Sequence, residues 1–155
     1  MIQTINIKWQ RLVDDDGQTC PRCSATREAV QEAARSLGLS LFPLRIGVRL
    51  REETLYPTEF ITDPSQSNRI WIEDRPLEDW LGAQTGQSAC CDACGDAECR
   101  TMEIDGQTYE AIPAEMIVRA GLVAASEMMG KQAPGACCST APAAGSSDSQ
   151  SGKCC

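Results

Sequence analysis

Near the start of the chain Ile5, Ile7 and Trp9 alternate with Asn6, Lys8 and Gln10. A period of two predicts a strand with one buried face. Asp14-Asp15-Asp16-Gly17 then supplies a polar, solvated turn. Between residues 24 and 37 the period lengthens. Thr26, Val30, Ala33 and Leu37 fall on one face of a helix, and Gly38 stands where its C-terminal cap is expected. The clearest alternation follows: Leu44, Ile46, Val48 and Leu50 against Arg45, Gly47, Arg49 and Arg51, a second strand with one apolar and one basic face. Pro57, Pro64 and a run of Ser, Gln and Asn predict a short helix and loops over 51–68. Arg69-Ile70-Trp71-Ile72 is a third strand, and a short helix opening at Pro76 carries Leu77, Trp80 and Leu81. Residues 88–100 form a Cys-rich insert. Asp105-Gly106 between Met102, Ile104 and Thr108, Tyr109 predicts a hairpin, and the last helix runs from about Pro113 to Met129. Trp9, Trp71, Trp80 and Tyr109 are expected in the core or at its rim, and Met116, Met128 and Met129 as packing residues. Beyond Gly130 the chain is Ala, Gly, Ser and Pro, a composition that predicts disorder. The pattern therefore divides the chain into a domain at 1–130 and a tail at 131–155.

With 155 residues, 42% of them hydrophobic, the chain suffices for one ordinary core. A net charge of -8 argues against nucleic acid or an anionic membrane as partner, since both require clustered Lys and Arg. The most apolar stretch, 114–129, is short and interrupted by Glu115, Arg119 and Glu127, so no transmembrane segment is expected. The N-terminus lacks a basic region and a small-residue cleavage site. A cytoplasmic location follows as the expectation, and with it reduced thiols.

That compartment changes what 10 cysteines mean. In a reducing environment they point to redox chemistry or metal ligation rather than to a disulfide scaffold. There is no histidine, which excludes Cys-His and Ser-His catalysis and any His-containing metal site. Cys20-Pro21-Arg22-Cys23 opens the first predicted helix. A thiol at a helix N-terminus faces unsatisfied N–H groups and the positive end of the dipole, which favours its thiolate. Pro21 suits the first helical position, Arg22 adds positive charge, and Cys23 lies one turn on, placed to resolve a mixed disulfide at Cys20. Cys20 and Cys23 are thus the candidate catalytic pair. The alternative is half of a structural zinc site completed by Cys91-Asp92-Ala93-Cys94. The strand, turn, CxxC, helix context favours redox chemistry.

Cys90, Cys91, Cys94 and Cys99 are four thiols within ten residues and candidate metal ligands. Zinc is one candidate ion, a second redox pair at Cys91 and Cys94 is an alternative, and the spacing matches neither common ferredoxin pattern. The tail adds Cys137-Cys138 and Cys154-Cys155. Adjacent cysteines make strained disulfides with each other but suit soft ions such as As(III), Hg(II), Cd(II) or Cu(I).

The strand, the CPRC motif, its helix, the basic-alternating strand and Ser67-Asn68-Arg69-Ile70-Trp71-Ile72-Glu73-Asp74-Arg75-Pro76-Leu77-Glu78-Asp79-Trp80-Leu81 resemble a thioredoxin fold. They are similar, more closely, to a bacterial thioredoxin-like family known as a domain of unknown function, which has an early CPxC and a later CCxxCG. The resemblance covers about residues 2–129. It implies a thioredoxin-like α/β fold, a central mixed sheet flanked by helices, and a redox-type motif. The vicinal pairs resemble those of arsenical metallochaperones in type. In thioredoxins a cis-proline facing the CxxC precedes the third strand; here that position is Asn68, and the nearest proline is Pro64.

The resulting expectation is a cytosolic thiol protein that binds or transfers soft metal or metalloid ions, with no organic cofactor. The Cys20–Cys23 pair and Cys90, Cys91, Cys94 and Cys99 are two sites, and the tail pairs capture or deliver ions. The alternatives are a thiol–disulfide oxidoreductase working with a redox partner protein, and a zinc-stabilised interaction module.

Overall fold

The computed structural model describes residues 3–90 and 94–131. Strand β1 (Gln3–Leu12) forms where the alternation predicts it, and Ile5, Ile7 and Trp9 are wholly buried. Helix α1 (Pro21–Leu41) buries Thr26, Val30, Ala33 and Leu37 on one face, as their spacing requires. It does not stop at Gly38. Leu41 extends the same buried stripe by one turn, and its burial outweighs the roughly 1 kcal/mol cost of a glycine within a helix. The helix yields at Phe42–Leu44, a single tighter turn containing Pro43, and Arg45 reverses the chain at a φ of 58°.

Strand β2 (Ile46–Leu55) therefore begins two residues later than its alternation suggests, and Leu44 is exposed. It also runs past Arg51 through Glu52, Glu53 and Thr54, because parallel pairing with β1 continues without a break from Gln3↔Ile46 to Leu12↔Leu55. Helix α2 (Pro57–Thr62) and a turn at Pro64–Gln66 lead into β3 (Arg69–Ile72), which pairs antiparallel with β1 over Ile7–Gln10. Strand β4 (Arg75–Pro76) and helix α3 (Leu77–Leu81) follow. The sheet order is β2-β1-β3-β4, a mixed sheet.

A second, antiparallel sheet consists of β5 (Gln84–Ala89), β6 (Glu98–Ile104) and β7 (Gln107–Tyr109). The hairpin at Asp105-Gly106 is as expected, with both residues at positive φ. Strand β5 has no sequence signal: Gln84-Thr85-Gly86-Gln87-Ser88-Ala89 lacks large apolar residues, and it is held by its ladder to β6. Helix α4 (Ala114–Gly130) closes the described fold. The main core joins Ile5, Ile7 and Trp9 to Val30, Leu37, Ile70, Ile72, Met102, Ile117 and Ala124. Leu12 breaks the alternation of β1 and joins a smaller cluster with Leu55, Phe60, Cys94 and Cys99. Residues 132–155, with the expected disorder of the tail and Cys137, Cys138, Cys154 and Cys155, lie outside the described residues, as does Cys91.

Asn68 adopts a φ of 54°, and among the described residues no peptide bond is cis. Its buried amide accepts a hydrogen bond from Trp9 Nε1 at 3.0 Å and donates to Thr26 Oγ1 at 3.0 Å. Thr26 Oγ1 also accepts from the Ile112 backbone N–H at 3.2 Å. This explains a threonine on the apolar face of α1: it ties that helix to β1, to the turn before β3 and to the segment entering α4.

Helices α1 and α4 approach closely at Gly121, where a Cβ would run into both methyl groups of Leu37. Leu37 is fully buried, so its methyl groups can shift only against other core side chains. Gly121→Ala is therefore expected to destabilise the fold by about 1–3 kcal/mol in denaturant titrations. Gly121→Ala combined with Leu37→Ala should cost less than the sum of the two single changes, since the second removes what the first collides with.

Candidate metal centre

Strand β1 ends at Leu12, and the chain must return to the sheet edge before α1 can start. Asp14 organises the loop, its Oδ1 accepting from the backbone N–H of Asp16 at 3.0 Å and of Gln18 at 2.7 Å. Thr19 Oγ1 then donates to the Leu12 carbonyl at 2.8 Å. This delivers Cys20 to the N-cap of α1 with Pro21 at the first helical position. The Cys23 backbone N–H points at Cys20 Sγ from 3.5 Å, the capping arrangement that the motif predicts.

The second group of cysteines arrives on the β5–β6 hairpin. Cys90 directly follows β5, Cys94 precedes Gly95 (φ 58°), and Cys99 lies within β6 opposite Ser88. Arg22 fastens this hairpin to α1. Its Nη2 donates to the Ala89 carbonyl at 3.0 Å and lies 2.8 Å from Glu110 Oε1, which also accepts from Ser88 Oγ at 3.0 Å. On the far side of Cys99, the buried Arg100 pairs with Glu78 at 2.7 Å and donates to the Ser65 carbonyl and Thr85 Oγ1 at 2.9 Å each. The hairpin is thus held near its cysteines from two sides, on β5 at Ala89 and on β6 at Arg100.

The two motifs meet. Cys20 Sγ lies 3.9 Å from Cys90 Sγ, and the sulfurs of Cys20, Cys90 and Cys94 all lie within 4.8 Å of one another. Seventy residues of sequence separate the first two, so their distance along the chain is no measure of their distance in the fold. Cys23 flanks Cys20, and Cys99 Sγ stands 3.3 Å from Cys94 Sγ; both are buried beside the three and are not members of the mutually close set. Sulfurs bound to one ion at a Zn–S distance of 2.3 Å in tetrahedral geometry sit about 3.8 Å apart. The Cys20–Cys90 spacing is of that size and the other two pairs lie within 4.8 Å, so this cysteine cluster can bind a metal ion. Cys20 and Cys94 are nearly wholly buried and Cys90 is half-buried, which leaves the site open on one side.

These thiols are electrostatically unequal. Cys20 is lowered to about 5, chiefly by the hydrogen bond from the Cys23 thiol, with further help from the Cys23 N–H, Cys90 and the Arg22 N–H, against the cost of burial. Cys23 is pushed far upward by the same hydrogen bond and by burial. Cys94 is pushed up by burial and by its contacts with Cys90 and Cys99, and Cys99 is pushed up to about 12, again mainly by burial. Cys20 is held as the thiolate at neutral pH, while Cys23, Cys94 and Cys99 keep their protons there.

Residues 5–121 match the model of the family described as a domain of unknown function, DUF2703. The chain belongs to this family. The matched span contains both cysteine motifs and ends before the four C-terminal cysteines. An uncharacterized protein of Archaeoglobus fulgidus is 45% identical over 113 residues, which cover 73% of this chain and 82% of that one. No solved structure matches. Among the described residues no helix is long and apolar enough to cross a membrane.

Glu110 and Arg100 carry no sequence signal for their roles. Arg22 is visible only as a charge within the motif; its clasp on Ala89 and Glu110 joins residues 67 and 88 positions away.

Alkylation of Cys20 by iodoacetamide, followed by peptide mapping, is expected to show a midpoint near pH 5. A thiol whose pKa falls on folding is a thiolate above the lowered value and protonates as pH drops through it. The rate should be flat between about pH 6 and 8, and in urea the midpoint should return to about 8.5. A midpoint near 8.5 in the folded chain would show that Cys23 does not support the thiolate.

Proposed function

We propose that this chain is a cytosolic protein with a thioredoxin-like fold that binds soft, thiophilic ions, As(III) or Hg(II), through Cys20, Cys90 and Cys94. The observation that carries this reading is the convergence of three sulfurs from two distant segments within 4.8 Å. Sulfur-only ligation selects soft ions, and no histidine is present to favour a borderline one. Three thiolates complete the coordination of As(III), whereas zinc in a structural site takes a fourth ligand. For the fold, support comes from the β2-β1-β3-β4 order with β1 and β2 parallel and from the CxxC cap of α1. The tail pairs Cys137-Cys138 and Cys154-Cys155 would capture or deliver the ion.

Binding begins at Cys20, lowered to about 5, and closes by displacing the proton that burial holds on Cys94. Affinity for an ion therefore rises with pH while Cys94 is still protonated.

A second reading, thiol–disulfide exchange with a redox partner protein, is favoured by the Cys23 hydrogen bond to Cys20. Here Cys20 attacks and Cys23 resolves.

The test is a titration of the reduced full-length chain, carrying serine at the four tail cysteines, with As(III), followed by ultraviolet absorbance of the arsenic–thiolate bonds. One ion per chain is expected, and Cys20→Ser, Cys90→Ser and Cys94→Ser should each lose at least about tenfold in affinity, or ~1.4 kcal/mol. Affinity unchanged by all three substitutions would overturn the ion-binding reading. Disulfide turnover that vanishes in Cys20→Ser, in a chain without ion affinity, would establish the second.

A further inference from the structure

Two buried cysteines stand beside the ion site without belonging to its mutually close set. Cys23 is accounted for as the group that supports the Cys20 thiolate. Cys99 stands outside the trio and is hydrogen-bonded to both Cys90 and Cys94. It lies on a strand anchored by Arg100 and Glu78, 1% exposed, with its sulfur 3.3 Å from that of Cys94. Cys94 belongs to the trio with Cys20 and Cys90. A disulfide shortens such a contact to about 2.0 Å, a movement of little more than an ångström, and Gly95 beside Cys94 can absorb a backbone change. A sulfur bonded to another sulfur no longer serves as a thiolate ligand.

We propose that Cys94 and Cys99 form a reversible disulfide that gates the ion site, dismantling the Cys20, Cys90, Cys94 trio when oxidised and restoring it when reduced. This rests on the ion-binding reading above. The oxidant is a small disulfide, RSSR. The Cys20 thiolate attacks one of its sulfurs, forming Cys20–S–S–R and releasing RS⁻. Cys94, within 4.8 Å, attacks the Cys20 sulfur, releasing a second RS⁻ and forming Cys20–S–S–Cys94. Cys99 then attacks the Cys94 sulfur, forming Cys94–S–S–Cys99 and expelling the Cys20 thiolate. Each RS⁻ takes the proton of the next attacking thiol, the first that of Cys94 and the second that of Cys99, so both react as thiolates. Two thiols have lost two electrons, one RSSR has become two RSH, and Cys20 returns unchanged.

The direction of the last step follows from geometry: Cys99 Sγ stands 3.3 Å from Cys94 Sγ, whereas the Cys20 and Cys94 sulfurs lie only within 4.8 Å of each other. The leaving sulfur, Cys20, departs at the N-cap of α1, where the helix N-terminus receives its charge. The oxidised state therefore settles on the pair whose sulfurs already touch, Cys94 and Cys99.

The experiment equilibrates the full-length chain, with serine at the four tail cysteines, in reduced and oxidised glutathione mixtures of increasing oxidation. Crosslinks are mapped by mass spectrometry, and As(III) affinity is measured in parallel. A Cys94–Cys99 crosslink is expected, with at least about tenfold weaker As(III) binding in the crosslinked fraction. Prior loading with As(III) should shift its formation to more oxidising mixtures, since ion and disulfide compete for one sulfur. Reduced Cys99→Ser should bind As(III) within about threefold of the parent and form no crosslink at Cys94–Cys99. Crosslinking confined to Cys20–Cys23 would overturn the gate, as would a Cys94–Cys99 crosslink that leaves affinity unchanged. Loss of reduced-state binding in Cys99→Ser would also overturn it, making Cys99 a ligand. If the reduced parent binds no As(III), the ion-binding reading itself fails and the gate falls with it.

Discussion

Strand β1 is paired to β2 along its whole length and to β3 over Ile7–Gln10, so it can neither slide nor turn over. A one-residue slip would carry Ile5, Ile7 and Trp9 from the core to the opposite face and expose three of the largest buried side chains. The rest of the molecule takes its place from this strand. Its buried face receives α1 and α4, and its last residue, Leu12, receives the Thr19 hydroxyl that brings the chain back to start α1. Leu12 also looks to the other side, where it packs with Leu55, Phe60, Cys94 and Cys99. The same strand end thus carries Cys20 on one path and seats the buried part of the second cysteine group on another.

What this seating creates is an electrostatic problem with a chemical use. Several thiols share a small, poorly hydrated space, where more than one thiolate at a time is unfavourable. The helix cap and the Cys23 hydrogen bond award the charge to Cys20. Its neighbours Cys94 and Cys99 remain thiols because burial disfavours their ionised form. A bound metal ion would relieve the arrangement by neutralising several thiolates, and a sulfur–sulfur bond would do so by consuming two thiols.

The clasp formed by Arg22, Glu110 and Ser88 keeps the two cysteine groups in register. It joins the CxxC motif, the loop after β7 and the end of β5. Its ion pair includes a half-exposed carboxylate and contributes little to stability on its own. Its role is geometric: the Ala89 carbonyl that Arg22 holds belongs to the residue before Cys90.

Alternation and helical spacing by themselves determined β1, β3, the stripe of α1, the β6–β7 hairpin and α4, because each presents one face to the core and the side-chain period records it. The position of Cys20 at a helix N-cap was legible for the same local reason, since Pro21 and the periodicity after it mark the helix start. Strand β5 was not legible: its polar residues are held by a partner, and backbone pairing leaves no hydrophobic signature. The extra turn of α1 past Gly38 came from the burial of Leu41, a tertiary gain that overrides glycine's local preference. Asn68 could be read as a departure from proline, but its bonds to Trp9 and Thr26 join residues 59 and 42 positions away. Above all, the cysteines were visible as two groups, and only the tertiary structure decided that they are one. Side-chain chemistry is written locally, whereas the distance between two sulfurs is set by every pairing and packing contact along the seventy residues between them.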